Sequence, residues 1–301
     1  MAQDTFSLDF STYVDGVSTS RDWVTDVEVD AAGNIYVTGV SSSAAGISIT
    51  AGNDYKAAAG GGSLGSLADS DSYVMKFDAS GQLQWSTRLG GEGYDASYAL
   101  ELDGAGNVYV AGRAGDGLAT TTGAHQTGFA GNTATTSSSL YGDQDGFVAR
   151  LDGESGQLDW ASYVGGSDGP SVSDMAVAAN GDIHLVLSDA TDTGDQPITG
   201  DAWQSTVKGQ TDALYVKMSH DGTSVDYATF VGGTEQTTDA ATASIALDET
   251  GDVAIAFFTD ATDLYTSASA FQGSNAGGTD AYVVKFDGDT DHRTAVTGTY
   301  F

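Results

Sequence analysis

One tight turn recurs four times along the chain. Gly33-Asn34, Gly106-Asn107, Gly181-Asp182 and Gly251-Asp252 follow one another at intervals of 70 to 75 residues. Self-similarity at a fixed spacing is the mark of a repeat architecture, in which one supersecondary unit is stacked on copies of itself. Each turn joins two short apolar runs, here called a and b. Strand a is 26–30, 99–103, 175–179 and 244–248; strand b is 35–39, 108–112, 183–187 and 253–257. A third run, c, occupies 71–78, 145–152, 212–219 and 280–287, and a fourth, d, occupies 83–91, 158–166 and 225–233. The runs alternate or stay apolar over about five residues between Gly, Asp and Asn turns, which predicts strands.

The a–b and c–d turns are short, so these strands form antiparallel four-stranded sheets. Such a sheet cannot bury both faces by itself. Stacking copies radially buries them and protects the edges. The expected fold is therefore all-β, a β-propeller of four-stranded antiparallel blades with four repeats. It is read as a single domain over 1–301, with repeats near 17–91, 92–166, 167–233 and 234–301. The b–c connections (40–70, 113–144, 188–211 and 258–279) carry the length beyond an ordinary blade and are rich in Ala, Gly, Ser and Thr.

Composition narrows the partners. The chain has 41 Gly and 2 Pro, which suits turn-dense β structure, and its 40% hydrophobic content is too high for a disordered chain. With 42 acidic and 10 basic residues the net charge is −32, a field that repels nucleic acid and anionic membrane. There is no cysteine, so disulfides and thiolate metal sites are excluded. No apolar run is long enough to span a bilayer, and the first residues lack a basic and apolar leader.

Several motifs in each repeat carry a family resemblance. ASYVGG (161–166), VEVDAAGNIYVTG (27–39), ITGDAWQ (198–204) and DAYVVKFD (280–287) resemble the bacterial and archaeal SBBP family of β-propeller repeats. The resemblance covers nearly the whole chain. It implies a propeller, frequently placed in large secreted or surface proteins, and no single activity. Copy three departs at Ala178 and Leu187, and copy one has Asn53-Asp54-Tyr55-Lys56 where the others place an aromatic or His followed by Gln.

Candidate site residues are few. Asp71, Asp145, Asp212 and Asp280 each open strand c, where a short carboxylate accepts backbone N–H bonds and fixes the loop. Asp69 with Asp71, Asp143 with Asp145, and Asp287, Asp289 and Asp291 place carboxylates alternately, a spacing that suits Ca²⁺; no cofactor is required by the fold. Lys76, Arg150, Lys217 and Lys285 share one position and are expected to pair with carboxylates of their own or an adjacent blade. Each long connection carries one ring at a matching place, Tyr55, His125, Trp203 and Phe271. Their first reading is to pin the loop to its blade; their second, for Tyr55, Trp203 and Phe271, is to stack a sugar. No nucleophile elbow, zinc-protease motif or phosphate loop is present.

The function expected from these features is a non-enzymatic extracellular or surface scaffold, a protein-interaction or adhesion module that self-associates. The alternatives are a lectin-like carbohydrate binder and, behind it, a polysaccharide hydrolase or lyase. Partners are then a protein, a second copy or a polysaccharide, with neither nucleic acid nor direct membrane insertion. One topological expectation concerns the ends. Residues 6–16 contain a d-like strand, LDFSTYVDG (8–16), and the last residues contain another, VTGTYF (296–301). The first matches better, so residues 8–14 are expected to pair with strand c at 280–287 and latch the last blade.

Overall fold

A computed structural model of the chain describes residues 10–12, 22–42, 47–56, 70–131, 144–191, 194–234, 243–288 and 294–301. Blade 1 is built from β1 (Asp22–Val29), β2 (Ile35–Ser41), β4 (Asp71–Phe77) and β5 (Leu83–Gly90), with β3 (Asp54–Lys56) outside β5. Blade 2 is β6 (Ala96–Leu102), β7 (Val108–Ala114), β8 (Asp145–Leu151) and β9 (Leu158–Val164). Blade 3 is β10 (Ser171–Val177), β11 (Ile183–Ala190), β12 (Asp212–Met218) and β13 (Val225–Val231). Blade 4 is β14 (Ser244–Leu247), β15 (Val253–Thr259), β16 (Asp280–Phe286) and β17 (Ala295–Tyr300). Each is an antiparallel meander, so the all-β fold of four-stranded blades read from the repeat is the observed one.

The recurrent glycine has a local cause. Gly33, Gly106, Gly181 and Gly251 all sit at φ between +83° and +89°, which a residue with a Cβ adopts only under strain. The carboxylate ending strand a completes the turn. Asp30 Oδ1 accepts the N–H groups of Ala32 and Asn34, and Asp103 Oδ1 those of Ala105 and Asn107, all at 2.8–2.9 Å. Copy three, with Ala178 there, keeps the backbone bonds and uses Asn180 Oδ1 to accept the Asp182 N–H instead.

Three apolar cores lie between blades. Tyr36, Val74, Trp85 and Leu89 of blade 1 meet Leu100, Val110, Phe147 and Leu151 of blade 2. Tyr109, Val148, Trp160 and Val164 of blade 2 meet Met175, Leu185, Leu214 and Val216 of blade 3. Tyr215, Tyr227 and Val231 of blade 3 meet Ile245, Ile255, Val284 and Phe286 of blade 4. The aromatic of strand d is the outer plug of each join. Trp85 lies over Gly156 and Trp160 over Gly222, where a methyl group would come within 2.5 Å of the indole. Glycine at the c–d turn thus makes room for the neighbour's ring.

Among the described residues no apolar core joins blade 4 back to blade 1. Contacts between inner strands run from β1 to β6, from β6 to β10 and from β10 to β14. Blade 4 takes its outer strand from the C-terminal segment: β16 pairs with β17, from Tyr282 opposite Tyr300 to Phe286 opposite Ala295. The expected latch by residues 8–14 is corrected on this point. Eight residues separate the end of β16 from the start of β17, and closing so short a span costs less chain entropy than recruiting the distant N-terminus. Of that N-terminal segment only residues 10–12 are described.

The long b–c connections fold back rather than stand free. In every blade the connection runs beside strand d. Thr50, Thr121, Thr199 and Ser267 donate their N–H groups to the carbonyls of Ser86, Ala161, Ala228 and Gly298. Three to five residues later Asn53, Gln126, Gln204 and Gln272 accept from Arg88, Tyr163, Phe230 and Tyr300. In blade 1 this pairing is regular enough to make β3, parallel to β5. The exposed edge of each blade is covered by its own loop, which removes a template for unwanted strand pairing.

Candidate functional site

Of the carboxylates that open strand c, Asp71, Asp145 and Asp212 are buried and Asp280 is half-buried, and in copies two to four one oxygen accepts from the loop before it. Asp145 Oδ2 accepts Gln126 Nε2 at 2.7 Å and the Ala130 N–H at 3.2 Å. Asp212 Oδ2 accepts Gln204 Nε2 at 2.5 Å and the Lys208 N–H at 3.0 Å. Asp280 Oδ2 accepts Gln272 Nε2 at 3.1 Å and the Ala276 N–H at 2.7 Å. Copy one lacks the glutamine and substitutes a cation: Arg88 Nη1 lies 3.8 Å from Asp71 and Arg88 Nε donates to Asp54 at 2.9 Å. The odd residue Arg88, where other copies have Tyr163 and Phe230, was the sequence signal for this exchange.

Of the seven carboxylates proposed for Ca²⁺, Asp71, Asp145 and Asp287 are among the described residues. Asp69, Asp143, Asp289 and Asp291 lie outside the described residues. Asp71 and Asp145 open β4 and β8 in different blades, whereas Asp287 follows the end of β16. Among the described residues no group of three or more His, Cys, Asp or Glu is arranged to hold a metal ion.

The shared cationic position behaves as expected in three copies. Arg150 pairs with Asp159 at 3.1 Å, Lys217 with Asp182 at 3.3 Å and Lys285 with Asp252 at 2.6 Å. Lys76 instead donates to the Gly153 carbonyl of the next blade at 2.7 Å and lies over the Tyr36 ring. An open groove of about 570 Å³ separates the a–b turns of blades 3 and 4, lined by Asp182, His184, Lys217 and Asp248. Among its charged groups Lys217 pairs with Asp182 and Asp248 with Lys285. His184 is buried and stacks on Tyr215, with Nδ1 2.8 Å from the phenol oxygen.

The rings of the b–c loops pin blade to blade. Tyr55 accepts the Leu158 N–H of blade 2 at 3.1 Å and packs on the core between blades 1 and 2. At His125 the backbone rather than the ring makes the link, its amide N–H donating to Gly222 O of blade 3 at 2.8 Å. Trp203 meets Tyr265 and Phe286 of blade 4 edge-on, with centroids at 6.3 and 5.6 Å. Phe271 has no blade beyond it. It is 82% exposed and stacks on Phe301. Of the three rings read as stacking candidates, Tyr55 and Trp203 are thus engaged by the next blade and Phe271 is exposed, and the reach of each loop across to the next blade was invisible in the repeat alone.

Exposure singles out the two end faces. Val27 is 53% exposed, whereas its counterparts Leu100, Met175 and Ile245 are 1%, 1% and 7% exposed. On the other end Phe301 is 56% exposed where Leu89 and Val164 are fully buried. Val24 and Val29 accompany Val27 on blade 1, and Phe258 accompanies Phe271 on blade 4, all exposed. At the blade 1 end the exposed residues are on the inner strand, since Val37, Tyr73, Met75 and Phe77 of the same face form a buried cluster with Ile47.

Between the inner strands lies an acidic cluster. Burial pushes the Glu101 carboxyl up to about 7, and the nearby charges of Glu28, Asp174 and Asp26 add to this. A carboxyl raised in the folded state binds its proton more tightly there than in the unfolded chain. Stability therefore falls as pH rises from about 4.5 to about 7. Discounted for partial exposure, the loss is roughly 1–2 kcal/mol. Urea titrations at the two ends of this window should show Glu101→Gln with a smaller fall than wild type; equal falls would remove Glu101 as the cause.

Residues 84–118 match the family model of the SBBP β-propeller repeat. This span runs from β5 through β6 and β7, so the matched unit straddles the join of blades 1 and 2. No curated protein matches the chain. Among solved structures it is similar to the NanB sialidase of Streptococcus pneumoniae, at 12% identity over 75% of this chain and 27% of that one, with a TM-score of 0.38. It is similar to a polysaccharide lyase described as an ulvan lyase, at 12% identity over 92% and 54% of the two chains, with a TM-score of 0.44. A third is BamB from Moraxella catarrhalis, 14% identical over 95% and 91%, with a TM-score of 0.21. The chain spans about a quarter of the sialidase and about half of the lyase. The expectation that this protein is not an enzyme is withdrawn on this finding, since two of these neighbours are enzymes and the fold alone does not decide activity.

Proposed function

We propose that this chain, which carries the SBBP β-propeller repeat, is a scaffold module that joins protein to its two apolar end faces. The observation that carries the reading is the exposure of Val27 against the burial of its three counterparts. Exposed apolar patches of this kind mark sites of protein association. The loop rings Tyr55 and Trp203 are held by neighbouring blades, whereas Phe271 stands open on the end face, which supports this reading. We place the protein outside the cell or on its surface. The family resemblance supports that location, and cell fractionation tests it. Among the described residues no helix is long and apolar enough to cross a membrane.

A photoreactive benzophenone amino acid at position 27 or 258 tests the interaction reading in the cells that make the protein. Each position should give a protein adduct heavier than the 30.6 kDa chain. No protein adduct from either position would overturn it.

A further inference from the structure

We infer that the partner at both end faces is a second copy of the same chain, joined head to tail, so that two four-blade rows close into one eight-bladed ring. The inference rests on the interaction reading above and names its partner.

The two ends are complementary halves of one interface that the chain already makes three times. Every internal join sets the following face of one blade against the preceding face of the next. On the preceding face of blade 1 the inner strand leaves Val24, Val27 and Val29 exposed, while Val37, Tyr73, Met75 and Phe77 beside them are buried with Ile47 of the b–c loop. Blade 4 shows an unused following face, Phe258, Phe271 and Phe301. A face of one kind fits a face of the other and not itself, so copies add head to tail.

The aromatic plug shows the same complementarity. Strand d supplies Trp85, Trp160 and Tyr227 at this position in blades 1 to 3, but blade 4 has Thr297 there. The missing ring is found at the other end of the chain. Phe10 lies against Gly81, in the c–d turn of blade 1, where a methyl group would come within 2.7 Å of the ring. That is the relation of Trp85 to Gly156 and of Trp160 to Gly222. Blade 1 therefore brings its own plug to the join, and blade 4 leaves the place open.

A third feature sets the phase. Asp26 of blade 1 accepts the Leu100 N–H of blade 2 at 2.7 Å, and Asp174 of blade 3 accepts the Ile245 N–H of blade 4 at 2.9 Å. Blades 2 and 4 have Ala99 and Ser244 at this position, so the pattern alternates. A join from blade 4 to a following blade 1 is of the same kind as that from blade 2 to blade 3. Two copies give a ring within the range of roughly four to eight blades that propellers use, and a third copy would exceed it.

Ser244 and Val27 would face each other across the new join, as Asp26 faces Leu100. Because the chain has no cysteine, a Ser244→Cys, Val27→Cys double variant reads the join directly. Mild oxidation in about 1 M NaCl, which screens the repulsion of two acidic chains, should give a non-reducing band at about 61 kDa, twice the 30.6 kDa chain. Light scattering of the wild type should give the same mass. Single variants Val27→Asp and Phe258→Asp, both at exposed positions, should each remain folded by circular dichroism and be monomeric, and their mixture should recover a dimer through the one intact pair of faces. A monomer with its two cysteines joined would mean that four blades close on themselves. A ladder of higher multiples would mean a filament, and a monomer with free thiols no self-association. Each of these overturns the ring. Photo-adducts with a different protein alongside a monomeric chain would overturn the second copy and leave the interaction reading standing.

Discussion

Trp203→Ala should destabilise the chain by about 3 kcal/mol, the low end for removing a large aromatic, because the ring is only partly buried. The equivalent change Phe271→Ala should cost no more than about 0.5 kcal/mol in the separated chain, the range of an ordinary surface change. The two rings occupy one repeat position. Trp203 is wedged against Tyr265 and Phe286 of the following blade, whereas Phe271 touches Phe301 and solvent. Denaturant titrations of both variants check this. Equal losses at the two positions would mean that the ring serves its own blade and that the end face is not an interrupted core. Under conditions that favour the ring, Phe271→Ala should instead weaken the dimer.

Asp212→Ala should cost a similar amount, about 2–4 kcal/mol. The carboxylate is fully buried and receives both Gln204 Nε2 and the Lys208 N–H. Removing it leaves two donors without their acceptor inside the protein, each a loss of about 1–3 kcal/mol. Both donors bond the one oxygen Oδ2, so Asn with its carbonyl oxygen at that place still accepts them and should recover most of the loss. The exposed Glu154→Ala is the control and should lie within about 0.5 kcal/mol of wild type. If Asp212→Ala matched that control, the strand-opening aspartates would not be fixing their loops, and a ligand role would have to be reconsidered.

Strand positions were legible because both signals are local. Alternation over a few residues and a glycine forced to positive φ at Gly33, Gly106, Gly181 and Gly251 act within one hairpin. The role of Asp145 and Asp280 was legible for the same reason: a carboxylate at a strand entry with a polar loop before it has nearby donors. What lay beyond the sequence was relation between blades. Nothing at Trp203 says that its ring reaches the next sheet, and nothing at Val27 says that its neighbour is absent. The choice between residues 8–14 and β17 for the last outer strand misled for a related reason. Motif similarity favoured the first, but chain connectivity favoured the second.

The stacking also governs how the molecule comes apart. Blades 2 and 3 each share two cores with neighbours, whereas blades 1 and 4 each share one. In a linear array the free energy is a sum of unit and nearest-neighbour terms, so melting begins at the outer units and moves inward. A separated chain should fray, with amide exchange fastest in β1 and β15 and a calorimetric enthalpy larger than the van't Hoff value. A ring has no outermost unit. Joining the ends would convert gradual fraying into a single sharp transition, and cooperativity itself becomes a property that one chain lacks and two chains share.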